Sequence, residues 1–487
     1  MKKYAVPGIQ NIYFCIIFLL VLVSGPQMLS GDSDLGRHLA LGNYILENHV
    51  VPSRDVFSHT LPDQPRPPYE WLTQVLFALV YRLLHLDGII LMTAIVISVT
   101  FALLYKYAND RCGSPALVLA TAFLASSSSS IHWLPRPHIF TFLFLAIWIE
   151  RLEKLRKGET VRLFIFPLMM LFWANMHGGF VFGILAWGAY FAGWLWERIR
   201  NNAVYQTGPR FLIVGISALI ASVITPDLWH NWEAILNNGN AYILSRTNET
   251  LPPDLTYPAT VPFLILLFTT ILLFLIHRKK LPAAHFFLVT GFGFMSGLMA
   301  RNIPLFAIVA TPVICELAVN SLRSIQAWTQ MERRFAVFDS KTKTQVLPTL
   351  MILLTCGYFS YHFARTGESI YQFNPRVFPV QAADWLETNL QRGNMFNEFN
   401  WGGYLLFRFN GMQHVFVDSQ SDFYGEPLLR DYEQIMTAQG DWQGKLETYR
   451  ISWVIIPNNM PLTKALSESQ KWRQVYQDNT AKIFQTP

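Results

Sequence analysis

Hydrophobic positions in this chain come in long blocks instead of alternating with polar ones, a pattern of segments that are apolar on every side. Such runs lie near 12–29, 87–107, 115–131, 138–150, 163–176, 178–197, 210–225, 260–277, 283–299, 303–319 and 346–363. A helix crossing a bilayer needs about 20 mostly apolar residues, fewer where neighbours shorten or bury it. The runs therefore predict eleven crossings. The first is longer than the core of a signal peptide and leads into many others, so it reads as a retained span. WLTQVLFALVYRLL (71–84) is short and contains Arg82. Counted as a crossing it would upset the alternation of the loops, so it is placed as an interfacial or half-membrane helix.

The pattern changes in two places. Over 34–48, Leu35, Leu39 and Leu46 fall in a narrow arc at 100° per residue while Arg37, Tyr44 and Glu47 face away, which predicts an amphipathic helix along the membrane surface. After about residue 364, strand-like runs (HVFVD at 414–418, WVIIP at 453–457) alternate with amphipathic stretches (PVQAADWLETNL, EPLLRDYEQIM), as in a small α/β domain. The fold class expected is thus a polytopic α-helical membrane protein with a small C-terminal α/β extracytoplasmic domain. Its parts are a transmembrane portion, 1–363, with outer loops at 30–70 and 226–260, and a soluble portion, 364–487.

Composition agrees: 52% of residues are hydrophobic and 14% charged, against roughly 25% charged in soluble proteins. The net charge of +6 sits in short loops between apolar runs, as the positive-inside rule requires, and this argues against nucleic acid as a partner. Basic loops at 150–162, 197–200, 277–280 and 320–345, with Lys2 and Lys3, set the N-terminus in the cytoplasm and the tail outside. Cys15, Cys112, Cys315 and Cys356 have neither disulfide nor zinc spacing.

The chemistry concentrates in the first outer loop. Asp34 and His38 are spaced i, i+4, which puts a carboxylate beside an imidazole at the edge of the apolar stripe. Asp32 and Asp34 suit the N-cap of the helix. Asp34 also suits a general base, since a low-dielectric surround raises the basicity of a carboxylate.

The stretch DSDLGRHLALGNYILENHVVPSRDVFSHT with PPYEWLTQVL (67–76) resembles the first outer loop of bacterial GT-C glycosyltransferases. LPRPHIFTFLFL (134–145), WANMHGGFVFGI (173–184), ARNIPLFAI (300–308) and NEFNWGGYLLFRFNGMQHVFVDSQSDFYG (397–425) are similar to segments of the branch with RgtA/B/C/D-like domains. That resemblance implies an inverting transfer of sugar from a polyprenyl-phosphate donor to a lipid, glycan or protein acceptor, at the outer face of a bacterial cytoplasmic membrane. Asp32-Ser33-Asp34 matches the spaced acidic pair of such enzymes, with Asp34 as base, Asp32 beside it and His38 as its neighbour or orienter. The adjacent Asp-Glu of protein mannosyltransferases is absent.

A departing lipid phosphate gathers negative charge, which calls for cations at the outer face. Arg136, His138, His177 and Arg301 supply them, lysine being absent from the predicted outer segments before residue 364. Snorkelling or a structural histidine would account for the same residues. Asp55 and Glu70 could line the donor site by resemblance, or serve as turn and cap residues. The ligand types of Asp32, Asp34, Asp55, His38 and Glu70 would suit a divalent metal, although no spacing defines a coordination set. The segment 227–259, rich in aromatics, could cover an acceptor groove or form an interfacial belt. The glycines of Trp401-Gly402-Gly403-Tyr404 permit a bend against the membrane portion. Two other classes fit less well: a transporter of a lipid-linked sugar, which would carry mid-span charges and internal repeats, and a non-catalytic scaffold, which would not need so polar a first loop.

Overall fold

The computed structural model describes residues 7–200, 207–237, 240–339 and 346–486. Lys2, Lys3, Lys341 and Lys343, used above for orientation, lie outside these. All eleven apolar runs are helical. In chain order the helices are α1 (Ile9–Ser30), α2 (Leu35–Asn48), α3 (Trp71–Cys112), α4 (Pro115–Ser129), α5 (His138–Arg156), α6 (Ile165–Met176), α7 (Phe180–Ile199) and α8 (Gly208–Ser222). They continue as α9 (His230–Asn237), α10 (Ala241–Leu244), α11 (Val261–His277), α12 (Ala283–Leu298), α13 (Ile303–Leu322), α14 (Gln326–Asp339) and α15 (Val346–Thr366). Among the described residues five helical stretches are long and apolar enough to span a membrane: Ile9–Ser30, Trp71–Cys112, Pro258–His277, Ala300–Val319 and Val346–Thr366. The protein is an integral membrane protein built on a helical bundle.

The segment 71–84 is helical as expected and joins the rest of α3 through a kink at His85, where φ is 52° and ψ is −146°. This first part lies against α2, and the remainder runs beside α1, α5 and α13. At the far end of the bundle a buried ionic cluster ties three helices together. Glu153 of α5 lies 2.9 Å from His285 of α12 and 3.2 Å from Arg111 of α3. Burying a charge is tolerable only where it is paired in this way.

The tail holds a four-stranded mixed sheet and five further helices: α16 (Val380–Thr388), α17 (Gly402–Arg408), α18 (Ser421–Met436), α19 (Trp442–Thr448) and α20 (Pro461–Glu468). Strands β1 (Asn394–Asn397), β2 (Ile451–Pro457), β3 (Arg473–Gln477) and β4 (Ala481–Gln485) run in the order β1-β2-β4-β3, with β1 and β2 parallel and the other pairs antiparallel. WVIIP forms β2 as the pattern predicts, but HVFVD joins no sheet. Its backbone is satisfied elsewhere: the Val415 N–H donates to the Phe57 carbonyl at 3.0 Å, its carbonyl accepts from the His59 N–H at 3.1 Å, and the Phe416 N–H donates to Asn397 Oδ1 at 2.9 Å. An extended run may equally well pair with a loop, and this one pairs with the first loop of the bundle.

That docking alters the expectation for α2. Leu35 and Leu39 are buried as predicted, yet Arg37, assigned to the open face, is only 7% exposed. The reason is α17, whose backbone approaches α2 so closely that a Cβ on Gly36 would lie 2.4 Å from the Gly403 carbonyl oxygen. One apolar cluster runs from the bundle into the tail, from Tyr13 and Phe77 to Tyr404, Trp453 and Ile483. A second cluster, around Phe416, Val454 and Leu462, fills the tail itself.

Candidate active site

The turn after α1 brings Asp32 and Asp34 to the end of the bundle that meets the tail. Asp32 caps α2, its Oδ1 accepting from the backbone N–H of Asp34 at 2.8 Å and of Leu35 at 3.3 Å. Arg136, in the turn before α5, spans both carboxylates: Nε lies 2.9 Å from Asp32 Oδ1 and Nη1 2.9 Å from Asp34 Oδ2. The other oxygen of Asp34 accepts from the Ser419 hydroxyl of the tail. Burial alone would raise the Asp34 carboxyl, but Arg136, Arg37 and the Ser419 bond outweigh it and hold it below the usual range. Burial wins at Asp32, which rises to about 6, and its Oδ2 has no hydrogen-bond partner among the described residues.

Glu70, just ahead of α3, stands between two imidazoles. His38 Nδ1 is 3.8 Å from Oε2, and His177 Nε2 is 3.9 Å from Oε1. His177 occupies the turn between α6 and α7, where its Nδ1 accepts from the Gly179 N–H at 3.0 Å and the Thr141 hydroxyl at 2.8 Å. A backbone N–H can only donate, so the proton of the neutral ring sits on Nε2, toward Glu70. Burial, with the positive charge of Arg301 nearby, lowers His177 to about 3. Burial and the neighbouring arginines likewise keep His38 neutral. Glu70 itself is raised to about 7, chiefly by burial, with Asp34 and Asp422 adding to the effect and Arg37 and Arg136 opposing it.

The remaining residues singled out in the sequence divide. His138 stands beside the cluster, but its Nε2 is bonded to the His132 carbonyl at 2.8 Å and its ring lies over His132, 4.3 Å between centroids. Arg301, in the short turn before α13, makes no ion pair or hydrogen bond among the described residues, and its charge helps lower both His132 and His177. Asp55 is committed elsewhere. It accepts from Arg66 at 2.6 Å and from the Ser58 hydroxyl at 2.7 Å.

The sequence reading missed the residues that close the site. Arg66 reaches Asp418 at 2.9 Å and Gln420 at 2.8 Å, and its guanidinium lies over the Phe423 ring at 4.4 Å. Arg37 donates to Gln420 at 3.3 Å. Glu249, from the segment between α8 and α11, approaches Arg136 at 3.5 Å. The only signal for these contacts was the glycine pair of Trp401-Gly402-Gly403-Tyr404. In 227–259, Trp232 packs on Phe180 at 5.0 Å between centroids, while Trp229 is exposed.

A metal ion is a poor fit. Arg136 already fills the space between Asp32 and Asp34, and among the described residues no three His, Cys, Asp or Glu side chains form a group able to hold an ion.

No protein-family model and no curated protein sequence matches the chain. Solved structures do. The apo oligosaccharyltransferase of Archaeoglobus fulgidus matches with a TM-score of 0.60 at 11% identity, over 91% of this chain and 69% of that one. The fold is similar to that of GT-C glycosyltransferases. AglB of the same organism, in complex with an inhibitory peptide and a dolichol-phosphate, also gives 0.60 at 12% identity, over 92% of this chain and 69% of that one. ArnT from Cupriavidus metallidurans, bound to undecaprenyl phosphate, gives 0.50 at 11% identity and is covered end to end, 97% of each chain. The similarity thus extends from the helical bundle through the tail.

Proposed function

We propose that this protein is a membrane glycosyltransferase that moves a sugar from a polyprenyl-phosphate donor to a hydroxyl acceptor, with inversion at the anomeric carbon. The observation that carries this reading is the convergence of Asp32, Asp34, Glu70, His38 and His177 with two arginines at one end of the bundle. Arg136 is spent on the acidic pair, whereas Arg301 has no counterion among the described residues. A free guanidinium near neutral histidines is suited to take two oxygens of a leaving phosphate. Two of the similar structures hold dolichol-phosphate and undecaprenyl phosphate, which supports a polyprenyl phosphate here. The sequence resemblance to the branch with RgtA/B/C/D-like domains points the same way. Loop charge supports a site on the outer face, and the sequence resemblance supports a bacterial cytoplasmic membrane, where a lipid, glycan or protein of the cell envelope would be the acceptor.

The test is to supply purified protein with a panel of polyprenyl-phosphate sugars and follow free polyprenyl phosphate by mass spectrometry. Release from one donor, lost in Arg301→Ala, supports the reading and names the sugar. Binding of donor without release under any condition tried would point to a carrier instead.

A further inference from the structure

A narrow pocket opens beside Glu70, with Arg37, Tyr69, Gln74 and, from the tail, Gln420 among its walls and Leu41 and Phe57 on its apolar side. Among the described residues two of its buried polar groups lack partners. Arg37 Nε has none, and Gln74, whose amide nitrogen meets His38 Nδ1 at 3.2 Å, has none for its Oε1. Arg37 is 7% and Gln74 3% exposed, so bulk water does not compensate them. An unmatched donor and an unmatched acceptor on two residues that line one pocket suit a group that both gives and takes a hydrogen bond, which is what a hydroxyl does.

The carboxylates around this pocket differ in their freedom. Asp34 has one oxygen on Arg136 and the other on Ser419, and Asp32 holds Arg136 and the start of α2. Among the described residues the Glu70 oxygens face no arginine or lysine at ion-pair distance, only the two imidazole nitrogens at 3.8 and 3.9 Å. A general base must be within reach of the proton it removes and must not already be neutralised by a fixed cation. Among Asp32, Asp34 and Glu70, Glu70 meets both conditions. It also stands between the pocket on one side and His177, near Arg301, on the other.

We infer that this pocket receives the acceptor hydroxyl and that Glu70, with Asp34 as the anchor of Arg136, takes its proton. The inference rests on the glycosyltransfer reading. In the step, the hydroxyl O–H bond breaks and its proton passes to a Glu70 oxygen. An oxygen lone pair forms the new bond to the anomeric carbon, and the bond from that carbon to the phosphate oxygen breaks. Its electron pair leaves with the polyprenyl phosphate. Glu70 then releases the proton to water.

Azide separates this role from a merely structural one, because it attacks an anomeric carbon with no proton to lose. Full-length protein in lipid nanodiscs is given the productive donor with either water and a membrane glycolipid extract, or sodium azide, as nucleophile. Polyprenyl phosphate, glycosylated product and glycosyl azide are followed by mass spectrometry. Glu70→Gln is expected to slow transfer to hydroxyls on the order of 10²–10⁴-fold while forming glycosyl azide at the wild-type rate. Asp34→Asn, which frees Arg136, is expected to impair both reactions. The acid limb of the wild-type pH profile, set by Glu70 amid Tyr69, Asp34, Arg37, His38, Arg136, His177 and Asp422, should vanish in Glu70→Gln. Hydroxyl transfer by Glu70→Gln at the wild-type rate, an equal loss of both reactions, or an Asp34→Asn variant that loses hydroxyl transfer alone would each overturn the assignment. If the wild type consumes no donor with either nucleophile, glycosyl transfer itself is wrong.

Discussion

Arg66 and Asp418, 352 residues apart in sequence, share a buried ion pair of 2.9 Å. Asp55 completes it from the first loop at 2.6 Å, and the side chains of Asp55 and Asp418 are fully buried. Taking away one member leaves uncompensated charge in the interior, which typically costs about 3–5 kcal/mol. Arg66→Ala is expected to lower the thermal midpoint strongly and to expose the tail to limited proteolysis ahead of the bundle. Arg66→Lys should rescue little, since one ammonium cannot serve Asp55, Asp418 and Gln420 together. Comparing tryptic cleavage of the three proteins under native conditions checks this.

Glu70→Gln should be more stable than the wild type. Burial first, then the nearby carboxylates, raise the Glu70 carboxyl from an ordinary 4.5 to about 7 in the folded chain. Its ionisation is therefore disfavoured by folding. The wild type loses stability as pH climbs from about 4.5 to about 7, by about 3 kcal/mol in all, and the neutral amide does not. Thermal midpoints of the two proteins should converge near pH 4 and separate, with Glu70→Gln higher, by pH 8. A gap that widens toward acid pH would reverse the sign and refute the buried, raised carboxyl.

Arg301→Ala is expected to reduce kcat/KM for the donor on the order of 10²–10³-fold, the usual loss when one stabiliser of transition-state charge is removed. Arg301→Lys should recover part of it, keeping the charge but not the fork. Thermal midpoints should barely move, because no ion pair is broken. A large drop in stability without a kinetic defect would show the residue to be structural.

Gly403→Ala tests the seat of the tail. A Cβ there would fall 2.6 Å from the Ser33 carbonyl oxygen, in the turn that carries the acidic pair. Overpacking of this kind costs about 1–3 kcal/mol, and here the strain falls on Asp32 and Asp34. Activity should drop more than stability, as a ratio of initial rates to unfolding midpoints would reveal.

The eleven apolar helices were legible in the sequence because a run of apolar residues is a local property, and five of the described stretches reach the length of a span. Asp32, Asp34, His38, Glu70, Arg136 and His177 were legible as ionisable groups at span ends, and the structure gathers them. Asp55 carries the same type of side chain in the same loop, yet it turns to Arg66, and no periodicity distinguishes the two environments. Arg37 read as solvent-facing because α2 was considered without its neighbour. Asp418 was placed only as the end of an extended run, and Ser419 and Gln420 not at all, since their partners lie more than three hundred residues upstream and pairing across that distance leaves no local pattern. HVFVD was legible as extended chain but not as to what it would pair with.

Seating residues 418–420 against the acidic turn also sets an order of events during synthesis. The carboxylates, histidines and arginines of the bundle can insert and pack while the ribosome is still making the tail. Asp34 then lacks the Ser419 hydroxyl, Arg66 lacks Asp418, and the pocket lacks its Gln420 wall. A nascent or prematurely terminated chain therefore carries most of the polar groups without the enclosure that desolvates them. Docking of residues 418–420 supplies all three contacts together.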